Sequence, residues 1–222
     1  MNNKIKKIIK KKSKSKIICL TAYSKNIAEI IDNHADIVLV GDSLGSVLYN
    51  YDTTRKVTLK MMIEHTKSVR MGVKKSLLII DLPYKTYRNK SEALKNSKKA
   101  IKETKCDAVK IEGGARVKEI VRHLVKNKIP VLGHIGITPQ TTKGKFKSKG
   151  RSEVEKKKLI KDARALEDSG AFGIVLECIY SDISKKITKL VKIPTIGIGA
   201  SIHCDGQVLV TDDILGLTNA KI

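Results

Sequence analysis

SLLIIDLP, residues 76–83, is an apolar run that stops on a carboxylate and turns at a proline. It shows no apolar–polar alternation, as expected of a strand buried on both faces in a parallel sheet. DIVLVGDS (36–43) and DAVKIEGG (107–114) follow the same plan, so Asp42, Asp81 and Glu112 each stand where a strand-like run ends. One hard divalent cation needs oxygen ligands gathered from distant parts of a chain. Carboxylates at the carboxyl ends of parallel strands supply them on one rim.

Working outward, further runs of this kind are IICLTA (17–22), PVLGHIG (130–136), FGIVLEC (172–178), PTIGIG (194–199) and QVLV (207–210), which makes eight candidate strands. The segments between them have helical period. Val117, Ile120, Val121, Leu124 and Val125 form the stripe of a helix lying on a sheet. Thr58 can cap a helix that Gly72 ends, and Ser152 with Glu155 has capping-box spacing ahead of a helix that stops at Gly170. Eight strands alternating with helices predict a (β/α)8 barrel over residues 17–222, preceded by a basic leader at 1–16 with Ile5, Ile8 and Ile9 on one side. A doubly wound open sheet is the alternative, because the count rests on the short last strand. No dinucleotide or P-loop glycine pattern supports it.

At 222 residues and 41% hydrophobic content the chain can bury a full core. No apolar run reaches the ~20 residues of a membrane span, and the start has charge without a signal peptide's apolar stretch, so a cytoplasmic protein is expected. Cys19, Cys106, Cys178 and Cys204 form no C-x-x-C pair and read as free, buried thiols. The net charge of +23 invites a nucleic-acid reading, but it is mostly lysine, and aromatics are only 4% of the chain. Arginine forks and stacking platforms are therefore scarce, and solvated lysines on outer helix faces account for the charge. No nucleic-acid or membrane partner is expected, although a positive field steers anionic substrates inward.

In a barrel, the polar residues at the strand exits share one face: Thr21, Asp42, Ser43, Asp81, Lys110, Glu112, His134 and Glu177. Each alone has an ordinary reading as a turn or loop residue. Lys110 and Glu112 resist it, because two residues apart on one strand they point to the same side and need partners if buried. Glu177 follows FGIVL, so partial desolvation is expected to make it a better proton acceptor. His134 is a candidate ligand contact or a histidine satisfied by a backbone carbonyl. With no second histidine at ligand spacing, zinc is not expected.

Eight motifs in chain order also carry a resemblance: GDSLG (41–45), HT (65–66), DLPY (81–84), VKIEGG (109–114), GHIGITPQ (133–140), VLEC (175–178), IPTIGIGA (193–200) and CDGQVLV (204–210). Together they resemble the ketopantoate hydroxymethyltransferase family from about Ile17 to the end. The resemblance implies a TIM barrel of the phosphoenolpyruvate/pyruvate type. It implies transfer of a hydroxymethyl group from 5,10-methylenetetrahydrofolate to 2-oxoisovalerate (3-methyl-2-oxobutanoate) through a Mg²⁺-stabilised enolate. The product, ketopantoate, is a precursor of pantothenate and coenzyme A. Carried over motif by motif, Asp42, Asp81 and Glu112 become Mg²⁺ ligands, directly or through water. Asp42, Ser43, Asp81 and Lys110 become keto-acid contacts, Glu177 the proton acceptor, and His134 a candidate substrate or folate contact. A homo-oligomer, a pentamer of dimers, is the implied assembly.

The chain departs from the family pattern in three places. NYDTTRKVT (50–58) lacks a Gly and a Pro expected there. The segment TTKGKFKSKGR (141–151) is about two residues short and has Lys149 for an expected Gln, and the sequence stops at GLTNAKI (216–222) where family members continue. Folate affinity and assembly are the properties these changes touch. Two rivals remain at this level: a Mg²⁺-dependent lyase or mutase on the same barrel, whose K-K-C-G-H-type loop is absent here, and a non-catalytic basic binding protein.

Overall fold

A computed structural model describes residues 2–142 and 146–218. The strands are β1 (Ile17–Thr21), β2 (Ile37–Val40), β3 (Leu77–Asp81), β4 (Ala108–Glu112), β5 (Val131–Gly136), β6 (Gly173–Glu177), β7 (Thr195–Ile198) and β8 (Gly206–Leu209). The described helices are α1 (Asn3–Lys10), α2 (Lys25–Ile31), α3 (Leu44–Tyr49), α4 (Leu59–Gly72), α5 (Lys90–Thr104), α6 (Lys118–Lys126), α7 (Glu153–Asp168), α8 (Ser181–Leu190) and α9 (Thr211–Ile214). The strands are all parallel and pair in chain order, and β8 pairs with both β7 and β1, which closes the barrel. The short last strand therefore decides in favour of the barrel over the open sheet.

Strand alternation sorts the residues into two cores. Leu78, Ile80, Val109, Ile111, Ile174 and Leu176 point outward and pack under the helices. Leu77, Ile79, Ala108, Leu132, Val175 and Ile196 point inward and fill the lower barrel. Continuing up each inward file replaces apolar groups by polar ones: Leu77, Ile79, then Asp81; Ala108, Lys110, then Glu112; Leu132, then His134; Val175, then Glu177. The lower layers supply the hydrophobic stabilisation, about 1.5–3 kcal/mol per buried large side chain. The upper layer is left for chemistry.

The basic leader is built into this plan. Ile5 and Ile8 of α1 are buried in the inner cluster, so the helix closes the N-terminal end of the barrel. Its neighbouring polar groups bind the loops that start strands: Lys4 to the Ser76 carbonyl (2.8 Å), Lys11 to Asp36 (2.6 Å) and Lys12 to Asp205 (2.7 Å). Asp36, Asp107 and Asp205, just before β2, β4 and β8, also accept the amides of Ile18, Leu78 and Thr195 on the adjacent strands. These acids satisfy strand-end donors that the ladder leaves open.

Helix signals hold with one adjustment. Thr58 accepts from the Met61 amide, and Ser152 accepts from the Glu155 amide. The Glu155 carboxylate reaches back to the amides of Gly150 and Arg151 rather than completing the box on Ser152. The four cysteines are free; Cys19, Cys106 and Cys204 are buried, but Cys178 is half-exposed, because the chain turns there with φ 48° to leave β6. Residues 143–145 of the segment after TPQ, and 219–222 of GLTNAKI, lie outside the described residues. Among the described residues, no helix is long and apolar enough to cross a membrane.

Candidate active site

A cavity of about 520 Å³ opens at the carboxyl end of the strands. Thr21, Asp42, Ser43, Asp81, Lys110, Glu112, His134 and Glu177 all line it, so the strand-exit residues expected to share a face do so. Register explains the grouping. Asp81 lies beside Lys110 across β3 and β4, and Glu112 lies beside His134 across β4 and β5.

Lys110 Nζ donates to Asp81 Oδ1 at 2.8 Å, and both side chains are almost fully buried. Burial alone would lower the Lys110 pKa, but Asp81, Asp42 and Glu112 outweigh it and raise it, so the ammonium is held charged. Asp81 Oδ2 accepts from the Asp42 amide at 3.1 Å, which fixes the turn after β2. The Ser43 hydroxyl is 2.8 Å from the Tyr23 hydroxyl. Burial first, and then repulsion from Asp81, pushes Asp42 up to about 7. Burial and Asp42 likewise push Glu112 well above the usual carboxylate range. Charge is thus unbalanced: Asp42, Asp81 and Glu112 face the single ammonium of Lys110.

Glu177, at the end of β6, has a side chain about one-fifth exposed, and its Oε2 lies 3.1 Å from His134 Nε2. His134 Nδ1 is 3.7 Å from Glu112 Oε1. Despite this proximity neither ring nitrogen makes an aligned hydrogen bond, so the buried imidazole stands between two carboxylates with both polar atoms unpaired. Of the two readings of His134, the backbone-satisfied one is not met among the described residues. Gly136 keeps Glu177 in place: with φ +102°, a Cβ there would come within 2.1 Å of the Glu177 carbonyl oxygen.

The residues fit a hard divalent cation. The donors are carboxylate oxygens, and their surplus charge is what an ion would neutralise. Among the described residues no three His, Cys, Asp or Glu side chains are gathered closely enough to hold a metal ion by themselves. Mg²⁺ does not require that, since it keeps several waters and takes one or two carboxylates alongside its substrate.

Three residues of this site have no role in the sequence reading, although Gln140 closes the GHIGITPQ motif. Gln140, in the loop after β5, is 1% exposed and bonds both Asp42 and Glu112. Tyr87 donates to Gln140 Oε1. Arg55 holds the segment that lacks the expected Gly and Pro, donating to the carbonyls of Gln140 (2.9 Å) and Thr142 (3.1 Å) and lying 5.5 Å from the centre of the Tyr84 ring. At the other departure, Lys149 bridges to the chain after β6 through its backbone, its amide donating to the Cys178 carbonyl.

Solved structures of similar shape include 2,3-dimethylmalate lyase, a PEP mutase/isocitrate lyase superfamily member, with TM-score 0.70 and 15% identity, covering 98% of this chain and 84% of that one. Phosphonopyruvate hydrolase has TM-score 0.73 and 10% identity, covering 97% and 83%. At such identities they show the fold alone, the barrel type expected from the motifs. Sequence relatives are closer. The 3-methyl-2-oxobutanoate hydroxymethyltransferase of Pelagibacter ubique (strain HTCC1062) is 64% identical over 221 residues, which is 100% of this chain and 86% of the relative. That of Rhizobium etli is 50% identical over 206 residues, or 91% and 76%. A family profile described as ketopantoate hydroxymethyltransferase matches residues 2–222. Carrying that match together with the strand-exit residues on one rim, the chain is an enzyme and belongs to the ketopantoate hydroxymethyltransferase family.

Proposed function

We propose that this enzyme transfers a hydroxymethyl group from 5,10-methylenetetrahydrofolate to 3-methyl-2-oxobutanoate, giving ketopantoate for pantothenate and coenzyme A synthesis. The observation that carries the reading is that Glu177 lines the same cavity as Asp42, Asp81, Lys110 and Glu112. That arrangement suits a small keto acid that must be held at its carboxylate and lose a proton at its far end. The relatives' names supply the substrate and the group transferred.

Asp42, Asp81 and Glu112 are the residues that would hold Mg²⁺, directly or through water. When bound, the ion supplies Lewis-acid polarisation of the substrate's keto oxygen. Lys110 and the Ser43 hydroxyl hold the substrate carboxylate by charge-assisted hydrogen bonds. Tyr23 keeps Ser43 aimed at the cavity. Glu177 takes the C3 proton, and His134 limits its swing by standing beside Oε2. C3 then bonds to the donor's methylene carbon as one folate C–N bond opens, and the freed nitrogen takes up the proton that Glu177 removed. Water breaks the remaining C–N bond, its hydroxyl staying on the carbon and its proton going to the folate nitrogen, and tetrahydrofolate leaves. Tyr51, Arg55 and Phe146 at the cavity mouth offer planar and apolar surface to the donor.

Proton NMR of 3-methyl-2-oxobutanoate in D₂O tests both halves. With enzyme and Mg²⁺, C3 should exchange its proton for deuterium, and ketopantoate should appear on adding the donor. Glu177→Gln should slow the exchange by about 10²–10⁴-fold. A folded, Mg²⁺-loaded enzyme that gives neither exchange nor product would overturn the proposal.

A further inference from the structure

Gln140 gathers more of the active site than any residue given a role above. Its side-chain amide donates to Asp42 Oδ2 (2.8 Å) and to the Leu82 carbonyl (3.0 Å), and its backbone amide donates to Glu112 Oε2 (3.1 Å). Its backbone carbonyl accepts from Arg55, and its Oε1 accepts from the Tyr87 hydroxyl at 2.5 Å. One buried residue of the β5 loop thus ties together the exits of β2, β3 and β4 and the segment carrying Arg55.

The orientation of this amide is determined by its partners. A carboxylate and a carbonyl can only accept, so the NH₂ group must face Asp42 and Leu82, and Oε1 must face Tyr87. Tyr87 then has to donate. Burial and the nearby Glu112 push its phenol pKa up, which keeps that proton in place. Among the described residues, the Asp42 carboxylate accepts only from the Gln140 side chain and the Glu112 carboxylate only from the Gln140 backbone amide. Two buried carboxylates that repel one another would rotate apart without these donors.

We infer that Gln140, braced by Tyr87, is a positioning residue that aims Asp42 and Glu112 at the divalent-cation and keto-acid site. It also makes their alignment depend on the loop bordering the mouth. The inference rests on the proposed function, whose metal and keto acid it concerns. Groups behind metal ligands change affinity by about 10–100-fold when removed.

The test uses Mn²⁺ as the probe ion, its affinity measured by electron paramagnetic resonance on wild type, Gln140→Ala, Tyr87→Phe and the double variant. Keto-acid KM and kcat are measured in parallel, and thermal unfolding monitors the fold. Gln140→Ala should weaken Mn²⁺ about 10–100-fold and raise the keto-acid KM more than it lowers kcat. Tyr87→Phe should weaken Mn²⁺ several-fold in the wild-type background and not further in Gln140→Ala, because it acts through that residue. A general packing defect would lower the melting temperature without this split or this dependence. Mn²⁺ affinity and KM within twofold of wild type in Gln140→Ala overturns the inference while leaving the proposed function standing. If Gln140→Ala does not fold, the same result in Tyr87→Phe overturns it. A wild type that neither binds Mn²⁺ nor turns over removes the proposed function and the inference with it.

Discussion

Replacing Asp42 by Asn should stabilise the metal-free protein, and by an amount that grows with pH. The substitution keeps the shape and an oxygen to accept from Gln140 Nε2, while removing the carboxylate. Asp42 is buried beside Asp81, and its pKa rises from 3.8 to about 7. At about 1.4 kcal/mol for each pH unit, ionising it in the folded protein costs ~4 kcal/mol relative to the unfolded chain. The sign follows from proton binding. Between these two pKa values the folded state holds the proton that the unfolded state releases, so stability falls as pH rises from about 4 to about 7 and is level above. Urea unfolding in EDTA should therefore show Asp42→Asn more stable than wild type by ~4 kcal/mol at pH 8 and by less than half of that at pH 5. Saturating Mg²⁺ should narrow or reverse the difference, because the ion stabilises only the form that binds it. A gap that does not change with pH, or an Asn variant less stable at pH 8, would refute the reasoning.

Ile5→Ala should destabilise the protein by about 2–5 kcal/mol in denaturant unfolding, since the side chain is fully buried under the barrel; a loss below about 0.5 kcal/mol would mean that α1 does not seal it. Asp205→Asn should cost about 3 kcal/mol at pH 7. Burial opposes Asp205 ionisation, but Lys12 and the amides of Thr195 and Ser13 prevail and hold its pKa below the ordinary range. Its contribution is therefore present above the unfolded pKa and lost as pH falls through the folded one, so the variant and wild type should converge in acid titrations. Tyr23→Phe should raise the keto-acid KM several-fold with kcat nearly unchanged, because Ser43 loses the hydroxyl that orients it; an unaltered KM would remove Ser43 as a carboxylate contact.

The barrel and its rim were legible because both depend on local pattern. A strand buried on both faces must be continuously apolar, and Lys110 two residues before Glu112 can only share its side. Gln140 was not legible. Its partners Asp42, Leu82, Tyr87 and Glu112 lie far from it in sequence, and side-chain bonds across such separations leave no periodicity. The leader shows the complementary case. Its amphipathic face was visible in Ile5 and Ile8, but a helical stripe does not say what it covers, and the lysines flanking it resemble solvated charge until Asp36 and Asp205 are placed opposite them. Asp36, Asp107 and Asp205 read as turn acids for the same reason.

The floor that α1 puts under the barrel has a kinetic consequence. With Leu77, Ile79, Ala108 and Leu132 packing the lower barrel and Ile5 and Ile8 sealing its end, access is confined to the mouth above Asp42 and Glu177. In the proposed function, the keto acid against Lys110 would be overlaid by the larger donor at the rim. The first to enter must be the last to leave. If the proposed keto acid and donor take these places, compulsory-order kinetics follow, with the keto acid binding first and its product held until the spent donor departs, because the inner core and the helix beneath it leave one way in.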